Sequence, residues 1–316
     1  MFYRRCSMSA DVVHERAVLS PLRYPGGKRR LVPYLAAVLQ ANELEPDLFV
    51  EPFAGGASIA LELLATAKVE RIGLAERDPY LAAFWNTVFF DSDWLCEQID
   101  DIEVSLATWE RLKRGRFRAR RARALACLFL NRTSFNGTLH TRAGPIGGKA
   151  QTGTYKIDCR FPRDRLKRRV RACAALSSGV AFVREADALD VVRDARRAFR
   201  GKTIFFYLDP PFWAKAQQLY RFSFTLDDHK RLATALRYVK EPYLLSYDAA
   251  PEVEALYARH GSLIERVELL YGTQRSAGEE LVIANLEHLP ANNRLWRTHH
   301  EWTRLRRRRS AVRLPK

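Results

Sequence analysis

Three short apolar runs, each followed by a loop and a segment of helical period, set the rhythm of the chain. The first is DLFVEPF (47–53), followed by Ala54, Gly55 and Gly56 and then ASIALELLATAK. The second is RIGLAERD (71–78), followed by PYLAAFWNTVF, and the third is KTIFFYLDPP (202–211), followed later by TLDDHKRLATALRYV. Continuous apolar runs of this length read as buried parallel strands. Two more strands are predicted at PYLLSYD (242–248) and GEELVIANL (278–286). Strand and helix in alternation predict an α/β fold, an open sheet wrapped by helices.

The middle breaks this rhythm. From about Trp94 to Leu176 the chain is rich in Arg and holds a turn-dense stretch, NRTSFNGTLHTRAGPIGGKAQTGTY (131–155), which reads as an insertion or a set of long functional loops. After about Leu289 an Arg-rich tail is expected to be weakly structured. The expected division is therefore a main domain over 20–93 and 177–288, an inserted, mostly helical region over 94–176, and a basic tail over 289–316.

Composition narrows the classes. At 316 residues and 47% hydrophobic, the chain has enough apolar surface for a large core, which excludes a disordered protein. No apolar run is long enough to span a membrane, and the first residues show no apolar core of a secretory signal. Five cysteines with no CxxC pair point to a reduced, intracellular protein without a structural zinc site; no metal is expected. The net charge of +17 changes the picture most. Residues 294–316 carry eight Arg and one Lys against Glu301, yet the body stays basic without them, through RLKRGRFRARRAR (111–123) and PRDRLKRRVR (162–171). Such an excess fits a polyanionic partner or an Arg-rich solvated surface.

Candidate chemistry gathers at the predicted strand ends, where open α/β sheets bind ligands. Gly55 and Gly56 allow close approach of backbone to a ligand, and Glu76, 21 residues after Gly55, stands where a nucleoside site places the acid that holds ribose hydroxyls. There is no GxGxxG and no GKS/T loop, so a nucleoside without a pyrophosphate, such as S-adenosylmethionine, fits better. At the third strand end, Asp209-Pro210-Pro211-Phe212 offers a carboxylate and a proline-fixed carbonyl as paired acceptors for an aromatic amino group. Both bonds would turn that nitrogen's lone pair toward a methyl donor, and Phe212 supplies a stacking face for an extruded base. The same residues can be read as a plain turn and helix cap. PLRYPGGKRRLVPYL (21–35) adds the Tyr24 ring and the Lys28 cation, although alone it reads as a turn opening a helix.

In this order, RYPGGK, EPFAGG, an acid after the second strand, an insert and DPPF, the chain resembles the Dam-like N6-adenine DNA methyltransferases over roughly residues 20–287. LNRTSFNG (130–137), GTYKI (153–157), LLSYD (244–248) and EELVIAN (279–285) are similar to later family segments. The resemblance implies a Rossmann-like S-adenosylmethionine-dependent methyltransferase sheet with a target-recognition insert. It implies cofactor contacts at Tyr24, Lys28, Phe53, Gly55, Gly56, Glu76, Asp187 and Asp209, with Asp209, Pro210, Pro211 and Phe212 at the reacting amino group. It implies double-stranded DNA as partner and a cytoplasmic, bacterial or phage-encoded protein that joins the nucleoid when bound. Phe212 stands where tyrosine is more usual, Glu76 where aspartate is, and Tyr24 where some members have tryptophan.

The leading expectation is methyl transfer to adenine N6 by direct in-line attack. A C5-cytosine enzyme needs a thiol, usually after proline, and no cysteine here follows one. The alternatives are an RNA adenine-N6 methyltransferase and a basic nucleic-acid-binding protein with a degenerate nucleoside pocket. In 131–155, Asn131, Arg132, Asn136 and Arg142 are candidates for base-edge contacts, or else builders of turns. The Arg and Lys of 111–171 are expected to contact phosphates, so DNA affinity should fall steeply with salt. Titrations at two ionic strengths check this, and affinity indifferent to salt would contradict it.

Overall fold

The computed structural model describes residues 19–23, 28–140, 142–213, 221–258, 261–271, 276–291, 293–295 and 304–307. The Tyr24 and Gly26-Gly27 expectations lie outside these residues. All five predicted strands form: β1 (Leu48–Glu51), β2 (Ile72–Glu76), β4 (Ile204–Leu208), β5 (Tyr243–Asp248) and β7 (Ser276–Ala284). Three more join them, β3 (Val180–Glu185), β6 (Leu263–Tyr271) and β9 (Asn293–Leu295). The eight-stranded order is β3-β2-β1-β4-β5-β7-β6-β9. Neighbours from β3 to β5 are parallel, and β7 inserts antiparallel between β5 and β6. The order reverses between β1 and β4, which opens a crevice at the carboxyl ends of those two strands.

Alternation along the strands divides the core in two. Phe49, Ile72, Leu74, Phe205, Tyr207, Leu244 and Val282 face one cluster, while Leu48, Val50, Phe206, Leu208, Leu245, Leu281 and Ile283 face the other. Helix α1 (Val32–Ala41), α2 (Ser58–Ala65) and α3 (Pro79–Phe90) pack on the first face. Asp78 starts α3 by accepting the Tyr80 amide N–H at 2.9 Å, with Pro79 at the first helical position. On the second face lie α8 (Ala188–Ala198), α9 (Leu226–Leu236) and α10 (Pro251–Ala258); Thr225 and Asp228 close a capping box at the start of α9.

The insert is helical, as expected: α4 (Ser92–Asp101), α5 (Leu106–Arg114), α6 (Arg120–Thr133) and α7 (Arg163–Ala174). It does not stand apart, because Trp109, Leu112, Leu128, Phe129, Leu166 and Val170 join the same core cluster as the first sheet face. The tail also departs from expectation. A strand β8 (His288–Ala291) pairs antiparallel with β10 (Arg304–Arg307), and β9 runs parallel to β6.

Two residues expected to read base edges are buried instead. Asn131 is 1% exposed; its Oδ1 accepts the Arg23 amide N–H at 2.7 Å, and its Nδ2 donates to the carbonyls of Arg23 and Gly137 at 2.9 and 2.6 Å. Arg132 donates to the Arg160 carbonyl at 2.6 Å, and burial among Arg23, Arg169 and Arg160 pushes its guanidinium down to about 9. A donor and acceptor set engaged this way cannot meet a base without breaking those bonds; Asn131 ties the insert to the front segment, and Arg132 also reaches it through the Pro21 carbonyl at 3.5 Å. Gly137 sits where that tie is tightest: at φ +72°, an added Cβ would lie 2.4 Å from the Arg23 carbonyl oxygen. Asn131→Ala would leave these backbone groups without partners and should cost roughly 1–3 kcal/mol in denaturant unfolding. A change within about 0.5 kcal/mol, the range of ordinary surface substitutions, would contradict this role.

Candidate active site

The strand ends deliver a row of polar groups to one sheet face. Register aligns Glu51 of β1 with Leu74, two residues before Glu76 on β2, and aligns Tyr207 of β4 with Leu244, two residues before Ser246. Asp248 lies opposite Glu280 of β7. With period-two alternation, Glu76, Glu51, Tyr207, Ser246, Asp248 and Glu280 share the face of the first core cluster. Asp209 follows Tyr207 at the end of the same strand.

Lys28 enters this row from the segment before α1. It is 4% exposed; its Nζ contacts Glu280 Oε1, lies 3.4 Å from Asp209 Oδ1 and sits 5.2 Å from the Phe212 ring centre. Ser246 donates to the same Asp209 oxygen at 2.9 Å and is itself 2.8 Å from the Tyr207 hydroxyl. Burial raises the Asp209 carboxyl above its ordinary value; Lys28 and Ser246 pull it back, and Asp248 adds to the rise. The sequence assigned Lys28 and Asp209, but not Ser246 or Glu280. Their signal was present as polar residues at alternate positions of otherwise apolar strands.

Gly55 turns out of β1 at φ +47°, and the following Ala57 takes a left-handed conformation too. Gly55 is held from both sides. Its N–H donates to Glu76 Oε1 at 2.5 Å, and its carbonyl accepts the Trp85 indole N–H at 2.9 Å. Glu51, 3% exposed, reaches back to accept the Ala60 N–H at 3.0 Å and so caps α2. Burial first, then the charges of Asp209 and Glu76, push Glu51 well above the usual carboxylate range. Glu76 is pushed up to about 8 by burial, with Asp78 adding and the Gly55 N–H opposing. The sequence named the glycines of EPFAGG and missed its first residue. An acid ending an apolar strand is the signal that marks it.

A cleft of about 1100 Å³, including its mouth, joins these groups. Lys28, Phe53, Gly55, Gly56, Glu76, Asp187, Asp209 and Pro211 all line it, as do Asp78, Arg221 and the lip residues Gly137 and Thr138. Asp187 caps α8 through the Leu189 N–H at 3.0 Å and pairs with Arg231 at 3.1 Å. Phe53 rests edge-on against Phe224, 5.6 Å between ring centres. Pro210 is buried behind the cleft, while Phe212 is half-buried against Lys28. Asn136 and Arg142 are exposed on the insert and do not line the cleft. Asn136 takes a left-handed turn conformation at φ +55°.

Residues 24–271 match the model of the D12 class N6 adenine-specific DNA methyltransferases, a span running from the front segment through β6. The chain belongs to this family. No curated protein matches it in sequence. Solved structures similar to it include two methyltransferases. One is a precorrin-6y C5,15-methyltransferase from Geobacter metallireducens GS-15, 13% identical, covering 79% of this chain and 83% of its own, with a TM-score of 0.32. The other is the rRNA methyltransferase aviRa from Streptomyces viridochromogenes, 11% identical, covering 88% and 90%, with a TM-score of 0.39. Among the described residues no group of His, Cys, Asp or Glu could hold a metal ion, and no helix is long and apolar enough to cross a membrane.

The raised Glu76 has a consequence for stability. Its ordinary value is 4.5, so between about 4.5 and 8 the folded chain holds a proton that the unfolded chain has lost. Its contribution to stability therefore falls as pH rises through that window. Glu76→Gln keeps an acceptor for Gly55 and removes the titration, so the variant should gain melting temperature over the wild type at pH 8.5, with the gain shrinking toward pH 4.5. Thermal melts across this range check it, and a difference independent of pH would contradict it.

Proposed function

We propose that the cleft binds S-adenosylmethionine and that the chain transfers its methyl group to N6 of an adenine turned out of double-stranded DNA. The observation that carries this reading is the arrangement around Asp209: one carboxylate oxygen fastened by Ser246 and Lys28, beside the backbone of Pro210 and the ring of Phe212. The donor set suits the cofactor. Carboxylates in the row favour a ligand carrying a sulfonium and an ammonium, and Glu76 beside the left-handed Gly55 turn suits ribose hydroxyls approaching backbone.

When bound, the cofactor supplies an electrophilic methyl group. The residues of the chain supply orientation and a place for charge. Asp209 and the Pro210 carbonyl accept the two amino N–H bonds, which localises the nitrogen lone pair and aims it out of the ring plane. In the transfer the N–C bond would form as the methyl–sulfur bond breaks, leaving a neutral thioether; the nitrogen would become positive, and the nearby carboxylate would stabilise that charge and receive the departing proton. Phe212 holds the base plane by stacking, while Lys28 under its ring limits its movement. Asp187 and Phe53, which also line the cleft, are assigned to the cofactor's adenine and to shaping its pocket. The exposed Asn136 and Arg142 are assigned to the DNA side, as is the basic surface of the insert. A chain working on DNA in this way would act in the cytoplasm of a bacterium or of a phage-infected cell.

Asp209→Ala removes the acceptor and leaves the DNA-facing surface intact. Methylation of duplex DNA should fall by a factor of about 100 or more, while DNA affinity by gel shift stays within about twofold. A variant that methylates as fast as the wild type would overturn this mechanism, and labelling of RNA in place of DNA would overturn the substrate.

A further inference from the structure

Glu280 is fully buried, lies on β7 opposite Asp248 and touches Lys28, yet does not line the cleft. Its second oxygen, Oε2, is buried with no hydrogen-bond partner among the described residues. A buried carboxylate held by one cation and left half-satisfied is costly unless it does something for its neighbours. The geometry around the cation shows what that is. Lys28 makes its close contact with Glu280 and stays 3.4 Å from Asp209, longer than an ordinary charged hydrogen bond. Among the described residues, the two side chains that restrain Asp209, Lys28 and Ser246, both act on Oδ1.

We propose that Glu280 is a positioning residue for methyl transfer: it draws the Lys28 ammonium toward itself, so that Asp209 is oriented by Lys28 without being neutralised by it and keeps Oδ2 available for the target amino group. This rests on the reading of Asp209 as the amino-group acceptor given above. Without the second carboxylate, Lys28 would close on Asp209 as a tight pair, and an acceptor so paired takes an N–H bond and a proton less readily. Glu280 therefore affects the transfer step rather than the binding of either substrate.

The groups facing Glu280 are Lys28 from the front segment, Tyr207 and Asp209 on the β4 side, and Ser246 and Asp248 on β5. Burial pushes Glu280 up to about 7, with Asp209 and Asp248 adding and Lys28 opposing. Below that pH Glu280 takes a proton and lets go of Lys28, so transfer should slow as pH falls through about 7.

The test is single-turnover methylation of duplex DNA against pH, with cofactor and DNA affinities measured alongside, for wild type, Glu280→Gln and Glu280→Asp. Glu280→Gln should slow transfer by about 10- to 100-fold, shift its acid limb to lower pH and leave both affinities within about twofold. Glu280→Asp restores the charge and should keep the limb near neutral pH at a reduced rate. A purely structural role would lower the melting temperature of Glu280→Gln but leave the wild-type pH profile. That result, or a rate within twofold of wild type, would overturn the inference. If Glu280→Gln does not fold, the other two proteins decide: a wild-type rate flat between about pH 6 and 8, or an aspartate variant without the limb, would overturn it. A wild type that methylates no adenine in DNA would overturn the proposed function and this inference with it. A methylating wild type beside an indistinguishable Glu280→Gln overturns the role of Glu280 alone.

Discussion

One buried ammonium, Lys28, is held between the carboxylates of Asp209 and Glu280, and it joins three segments far apart in the chain. The front segment, the end of β4 and the middle of β7 meet only if the sheet has its observed order. Charges out of water need partners, and breaking a buried pair leaves an uncompensated ion. The same contact that completes the site therefore also ties the start of the chain to the antiparallel strand inserted between β5 and β6. Ser246 adds a neutral donor to the same carboxylate oxygen, which fixes its orientation without adding charge.

Around that contact the sheet concentrates acids. Glu76, Glu51, Asp248 and Glu280 come from four different strands and share one face because each lies in phase with the alternation of its strand. Glu51 and Glu280 are buried and Glu76 and Asp248 partly so, and Glu51, Glu76 and Glu280 are pushed above the ordinary carboxylate range. An apolar face ending in under-compensated carboxylates favours a cationic ligand, and a ligand whose charge is relieved by reaction suits it particularly well. The glycine turn at Gly55 gives that ligand a close backbone wall, held by Glu76 on one side and Trp85 on the other.

Much of this was legible in the sequence. β1, β2 and β4 are continuous apolar runs ending in acids, and their carboxyl ends hold EPFAGG, Glu76 and Asp209 as the spacing suggested. β3 and β6 were harder to see. VAFVRE is a partly exposed edge strand, and LIERVELLY mixes charge and apolar residues in a pattern that also fits a helix. The insert was recognised by composition, but composition does not tell an exposed polar residue from a buried one. Asn131 and Arg132 read as base contacts because they are polar and lie in a turn-rich segment; both instead satisfy backbone carbonyls inside the protein. Glu280 and Ser246 stand out locally as polar residues in apolar strands, but which groups they meet depends on cross-strand register, which no local pattern encodes.

The central claim is a chemical one: this site places a methyl group on the exocyclic nitrogen of adenine in DNA. The most direct measurement incubates the purified protein with duplex DNA and S-adenosylmethionine carrying an isotopically labelled methyl group, digests the DNA to nucleosides and identifies the labelled product by mass spectrometry. The account predicts label in N6-methyldeoxyadenosine. Label confined to a methylated cytosine, or no labelled nucleoside at all from a folded protein that binds both the cofactor and DNA, would contradict it.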